Sequence, residues 1–291
     1  MQVVGLALLA LLTGVLVAAA LDRARPLPVV DAAPLPGPAV TITPAADPVE
    51  SPSPTPASPA ETPSPTPTPE PSPEVEPLPA GLAGLRALIE RDAAGSVLVF
   101  GDGSGDERDE WVYRWTMQHL AAERPVSYRS WDRDGEEWRA ADPDQGEGAL
   151  TVWNASRRAP DLAEEPARVA KASRPADVVL LSYGHRKTAD QSAEALPAIH
   201  AAVLAQNPTA TMIVLLQNPD PVETQYQQRA TVEEVERWAT ATGLDTVNIY
   251  DAFLADPTPR AQLVEADGSP TPTGSVLWAR QLHSTILADE G

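Results

Sequence analysis

Residues 177–183 read Asp-Val-Val-Leu-Leu-Ser-Tyr, and this stretch decides the fold. From Val178 to Leu181 there is no polar residue and so no solvent face. A short strand without alternation suits a sheet covered by helices on both sides, which is the situation of parallel strands. Ser96-Val97-Leu98-Val99-Phe100 and the run from Thr211 to Gln217 have the same character. Residues 126–131, 149–153 and 245–250 read as further strands. Between these runs the apolar spacing becomes helical: Leu82, Leu85, Leu88 and Ile89 in 82–89, and Trp111, Trp115 and Leu120 turned inward in 109–122. Residues 161–172, 189–205, 222–242 and 275–287 follow the same pattern. Strands alternating with helices imply right-handed crossovers and a parallel sheet between two helical layers. Sites in such sheets form at the carboxyl ends of the strands. Here those ends are 101–105, 154–160, 184–187 and 218–220.

Outward from this domain, assigned to 80–291, the composition changes. Residues 26–79 form a Pro/Ser/Thr-rich stalk, with Ser51-Pro52-Ser53-Pro54-Thr55-Pro56 nearly repeated at 64–69. Proline fixes φ and lacks an N–H, so neither helix nor sheet is expected there. An extended polyproline II spacer of about 150 Å, at about 3.1 Å per residue, is the expectation. Residues 1–25 hold an apolar run, 3–21, with Ala18-Ala19-Ala20 near its end. It reads as a signal peptide or a membrane anchor. Together the two segments predict an extracytoplasmic domain, secreted or anchored at the cell surface, whose only membrane contact is the N-terminal segment.

The chain has no cysteine, which excludes a disulfide frame, a thiol nucleophile and thiolate metal ligation. A net charge of −20 argues against nucleic acid and anionic membrane as partners. The acidic cluster at 106–110 reads as a solvated loop, so no metal and no cofactor are expected.

Several pieces at the strand ends resemble the SGNH/GDSL hydrolases over about 190 residues. They are Phe100-Gly101-Asp102-Gly103-Ser104-Gly105 with Asp109-Glu110-Trp111, then Ser182-Tyr183-Gly184-His185, Gln217-Asn218-Pro219, and the run 270–279. The resemblance implies a flavodoxin-like three-layer αβα sandwich with a five-stranded parallel sheet, the SGNH hydrolase fold. It also implies an ester hydrolase in which a Ser after Gly-Asp attacks the carbonyl. A C-terminal His, oriented by an Asp, takes the proton, and a backbone N–H, a Gly and an Asn hold the oxyanion.

The residues at those positions differ. Gly103 stands where the nucleophile belongs, Arg186 where the oxyanion Asn belongs and Ser269 where the His belongs. Asp267 lies one residue closer to Ser269 than the resemblance requires, and 154–160 contains no glycine. Two function classes follow. The first is a domain that has lost catalysis and binds a cell-envelope glycan, an acyl ester or an envelope protein through residues such as Asp102, Arg186 and Asn154. The second is an active acyl or carbohydrate esterase using a displaced Ser104, with His185 or Arg186 assisting and Asp267 as the remaining carboxylate. For Ser104 the competing reading is a turn or capping serine, and for His185 a packing role. Arg157, Arg158 and Arg186 read either as a solvated loop or as a patch for a carboxylate or phosphate. His119, His200 and His283 fall on helices, where packing is the default.

Overall fold

The computed structural model describes residues 77–132, 134, 136–140, 148–221 and 225–288. The N-terminal apolar segment and nearly all of the stalk lie outside these described residues.

The domain opens with α1 (Gly81–Glu90) and β1 (Gly95–Gly101). Next comes a composite helix: α2 (Trp111–Arg114), a π-helical segment (Trp115–Leu120) and α3 (Ala121–Glu123). β2 (Val126–Asp132), β3 (Glu137–Trp138), β4 (Leu150–Asn154), α4 (Glu165–Ala172) and β5 (Val178–Ser182) follow. Then come α5 (Ala189–Gln206), β6 (Thr211–Leu216), α6 (Gln225–Thr242), β7 (Asp245–Asn248), α7 (Ile249–Ala255), α8 (Arg260–Leu263) and α9 (Pro272–Leu287).

One sheet of seven strands runs in the order β3-β2-β4-β1-β5-β6-β7. All its pairings are parallel except that of β3, which adds to β2 antiparallel at one edge. The expected α/β architecture is present, with two strands more than the five anticipated. One of the added strands, β3, is only two residues long, too short to leave a periodic signal. Residues 245–250 also divide differently. β7 stops at Asn248, whose side-chain oxygen accepts from the Asp251 N–H at 2.9 Å and so caps α7, placing Tyr250 on a helix.

Alternation along β1 sorts the core into two layers. Val97 and Val99 join a cluster with Leu85 of α1, Trp111 and Trp115, Phe253 of α7 and Trp278 of α9. Leu98 and Phe100 face the other way, toward Val169 of α4, Ile199 of α5 and Val235 of α6. The central strands are therefore buried on both faces, which is why their sequences carry no alternation. In the first layer Trp111 and Trp278 stack at 5.4 Å and 4°, tying the composite helix to α9.

The described chain enters the domain at the amino ends of the strands. There the α1 backbone N–H groups of Gly81 and Leu82 donate to Thr211 Oγ1, at the start of β6, and Asp245 Oδ2, at the start of β7. The last turn of α9 returns to the same helix, with Arg86 Nε donating to the Ile286 carbonyl at 2.7 Å.

Candidate ligand-binding cleft

At the opposite pole, the strand tips meet around Asp102. This carboxylate is buried and holds two tips together: Oδ1 accepts from the Ser104 N–H at 3.3 Å, and Oδ2 accepts from the His185 N–H at 2.9 Å. One residue thus fixes the turn after β1 to the turn after β5. Burial is the main influence on Asp102 and pushes its pKa up, against the lowering influence of His185 and of these bonds.

A cleft of about 310 Å³ opens above it, lined by Asp102, Gly103, Arg158, Ala159, His185, Arg186, Lys187, Asp267 and Ser269. The loops after β1, β4 and β5 and the turn before α9 therefore converge, as the strand-end argument predicts. Asp102, His185, Arg186 and Asp267 come together here, as do Gly103 and Ser269. Two other sequence candidates do not line it. Asn154 is turned inward, its Nδ2 donating to the Gly105 carbonyl at 2.6 Å and to the Tyr128 hydroxyl at 2.9 Å. Ser104 is 1% exposed; its Oγ lies near enough to Asp102 to favour the ionised carboxylate, yet makes no hydrogen bond of good geometry.

Gly103 is hemmed in. A Cβ at this position would come within 2.9 Å of the Arg158 Cα, closer than side-chain carbons are found to backbone. The loop after β4 thus occupies the space into which a side chain at 103 would project. That loop turns through Ala159 at φ +48, a left-handed value unusual for a residue with a Cβ. Across the cleft Arg186 is also left-handed, at φ +57, and is exposed. Lys187 Nζ reaches over to the Pro160 carbonyl at 2.7 Å and ties the two loops together.

His185 is buried, and its Nε2 has no hydrogen-bond partner. Its neighbour is Gly268, at φ +88, where any Cβ would stand 2.6 Å from Nε2. Glycine is therefore required twice at 268, by the backbone conformation and by the imidazole. Asp267 accepts from the Ser269 N–H at 3.0 Å. That bond, with smaller contributions from Arg158 and Arg186, holds its pKa below the usual carboxylate value.

Behind the cleft lies a buried polar network absent from the sequence expectations. Glu165, fully buried on α4, accepts from Arg168 Nε at 2.8 Å and from the Tyr183 hydroxyl at 2.6 Å, and pairs with Arg157 at 3.1 Å. This takes Arg157 out of the cleft. The spacing of Glu165 and Arg168, three apart on one helix, was the available signal. The helix histidines pack as expected: His119 against His283 at 4.8 Å, and His200 against Trp238 at 5.8 Å.

No protein-family model matches the sequence, and no curated protein is similar to it. Solved structures are similar. LAE5, an alpha/beta hydrolase enzyme from the metagenome of Lake Arreo, is 15% identical, with 69% of this chain and 100% of that chain covered at a TM-score of 0.51. A lipolytic protein of the G-D-S-L family from Veillonella parvula is 10% identical, covering 66% and 97%, at 0.45. Axe2, an acetylxylan esterase from Geobacillus stearothermophilus, is 17% identical in a catalytic mutant, covering 69% and 97%, at 0.48. The domain shares its α/β fold, a mostly parallel sheet with helices, with LAE5. At these identities the likeness is one of fold.

Proposed function

We propose that this is an exported hydrolase-fold domain without esterase catalysis, whose cleft binds a cell-envelope glycan, acyl group or protein. The observation that carries the reading is the path of the loop after β4. Its Arg158 backbone fills the space a nucleophilic side chain at position 103 would need. Three further features agree. Ser104 is buried outside the cleft lining, so a displaced attack from it has no approach. Ser269 cannot accept a proton near neutral pH, and Asp267 is occupied by the backbone beneath it rather than by an imidazole. Among the described residues no hydrogen bond joins Ser104 to His185. A serine hydroxyl without an adjacent base is a poor nucleophile. Losing even one oxyanion donor costs roughly 10²–10³ in rate. A concave cleft of about 310 Å³ remains, with charged groups converging on it, and this supports a binding role.

The test is hydrolysis of 4-nitrophenyl acetate by the purified chain. The expected rate is that of buffer alone. Turnover that disappears in Ser104→Ala overturns the reading and makes Ser104 the nucleophile. Turnover that survives Ser104→Ala overturns it too and locates the chemistry elsewhere.

A further inference from the structure

The cleft is a cationic place in an acidic protein. The chain carries a net charge of −20, yet the cleft lining includes Arg158, Arg186 and Lys187. Internal pairing does not use up this charge. Lys187 is held by a neutral carbonyl, and both arginines face Asp267, whose carboxylate is already engaged by the Ser269 N–H. The second acid, Asp102, accepts two backbone N–H groups beneath the floor, and burial pushes its pKa up. Three cationic side chains and two acids line the cleft, so positive charge is in surplus among its lining residues. Guanidinium groups recognise planar carboxylates through paired N–H donors.

A second observation is independent of charge. His185 lines the cleft and is 5% exposed, and its buried Nε2 has no partner. Buried polar atoms left unmatched call for an explanation, and an absent ligand is one. Gly268 packs beside this nitrogen, where any Cβ would stand 2.6 Å away and block it. A third observation is the pair of left-handed, non-glycine residues flanking the cleft, Ala159 and Arg186. Such strain gathers at ligand sites.

Taking these together, and resting on the reading of the domain as a binding module, we propose that the cleft holds a carboxylate carried close to a hydroxyl group, the chemistry of a uronic acid. Arg158 and Arg186 take the carboxylate, and His185 Nε2 takes the hydroxyl. The volume, about 310 Å³, is at the small end of ligand pockets and matches a single sugar unit.

The experiment is titration calorimetry on the full chain at low salt, with three probes: D-glucuronate, D-glucose and inorganic phosphate. Glucose keeps a sugar ring and lacks the carboxylate; phosphate keeps an anion and lacks the ring. Saturable glucuronate binding is expected, with glucose and phosphate each at least about tenfold weaker. Arg158→Gln and Arg186→Gln each weaken glucuronate by about tenfold or more, while Arg229→Gln, which removes a charge from the exposed face of α6, changes nothing. Thermal melts confirm that each variant is folded. Raising the salt weakens binding, because both arginines are exposed. Equal affinity for glucose and glucuronate overturns the carboxylate assignment and leaves the binding-module reading standing. Tighter phosphate binding, no binding of any probe, or indifference to both arginine variants also overturns it. Ester turnover in the assay above overturns the underlying reading instead, so the two failures are distinguishable.

Discussion

Between Val97 and Phe100, β1 is covered by helices on both faces and its ladders to β4 and β5 run in unbroken register. A few residues beyond Gly101 the surroundings are of another kind. Ser104 Oγ and His185 Nε2 lack hydrogen-bond partners, Ala159 and Arg186 sit in left-handed backbone, and like charges share one cleft. The strand ladders of the body are complete, while the tips combine left-handed backbone, clustered charge and unpaired atoms. Unpaired atoms alone do not set the tips apart, since the indole N–H groups of Trp111, Trp115 and Trp278 in the first layer also lack partners. What the difference teaches is a division of labour: the body supplies stability, and the tips, in the reading proposed above, carry the groups that a ligand would match.

The comparison breaks most visibly in the body. Trp278 is fully buried, stacked on Trp111 and in edge contact with Phe253. Trp278→Ala should cost about 3–5 kcal/mol of stability, read from denaturant unfolding. Glucuronate affinity under native conditions should hold, because the ring packs in the first core layer and does not line the cleft. A loss below about 1 kcal/mol would mean that the first layer is not the stabilising core described here.

The next effect tests the boundary between body and tips. Gly103→Ser places a serine where the resemblance puts the nucleophile but drives its Cβ to within 2.9 Å of the Arg158 backbone. Overpacking of this kind should cost about 1–3 kcal/mol, with no esterase rate gained. Unchanged stability would show that the loop after β4 yields freely, and a gained rate would show that it was the only obstacle to catalysis.

The smallest effect concerns Glu110, at the edge of the cleft region. Burial, with Asp106 and Glu107 adding, pushes its carboxyl from 4.5 up to about 8, against a lowering hydrogen bond from the Glu107 N–H. Because the folded value lies above the unfolded one, the folded state keeps a proton that the unfolded chain releases. The stability this supplies is complete below about pH 4.5 and is lost as pH rises through about 8. Glu110→Gln should therefore stabilise the protein by on the order of 1 kcal/mol at pH 9 and by much less at pH 4.5. Melting curves at the two pH values check this, and an equal shift at both would rule out the titration as its source.

How much of this was legible in the sequence differs between the same two regions. The central strands are buried on both faces, so their continuous apolar runs declared themselves, and Phe100, Val179 and Val214 do lie on β1, β5 and β6. The short edge strand β3 left no pattern. The Asn248-to-Asp251 cap that ends β7 was present in the sequence but was masked by an apolar pair, Ile249-Tyr250, that continues the strand-like run. At the tips, motif positions could be located because strand ends fix them. Contacts could not, since they depend on loop paths. Nothing in Arg157-Arg158-Ala159 announces that its backbone fills the place of a side chain at 103. Asn154, read as a ligand contact, instead braces Gly105 and Tyr128 from below.

The chain enters at the amino ends of β6 and β7, and α9 finishes beside α1, so both described termini lie at the pole away from the cleft. This fixes how the domain presents itself when held by either end. A fragment of residues 77–288, captured on a sensor chip through a tag at either end, would turn its cleft toward the flowing solution. A partner bulky enough to be excluded by a wall of neighbouring molecules would still meet the site face-on.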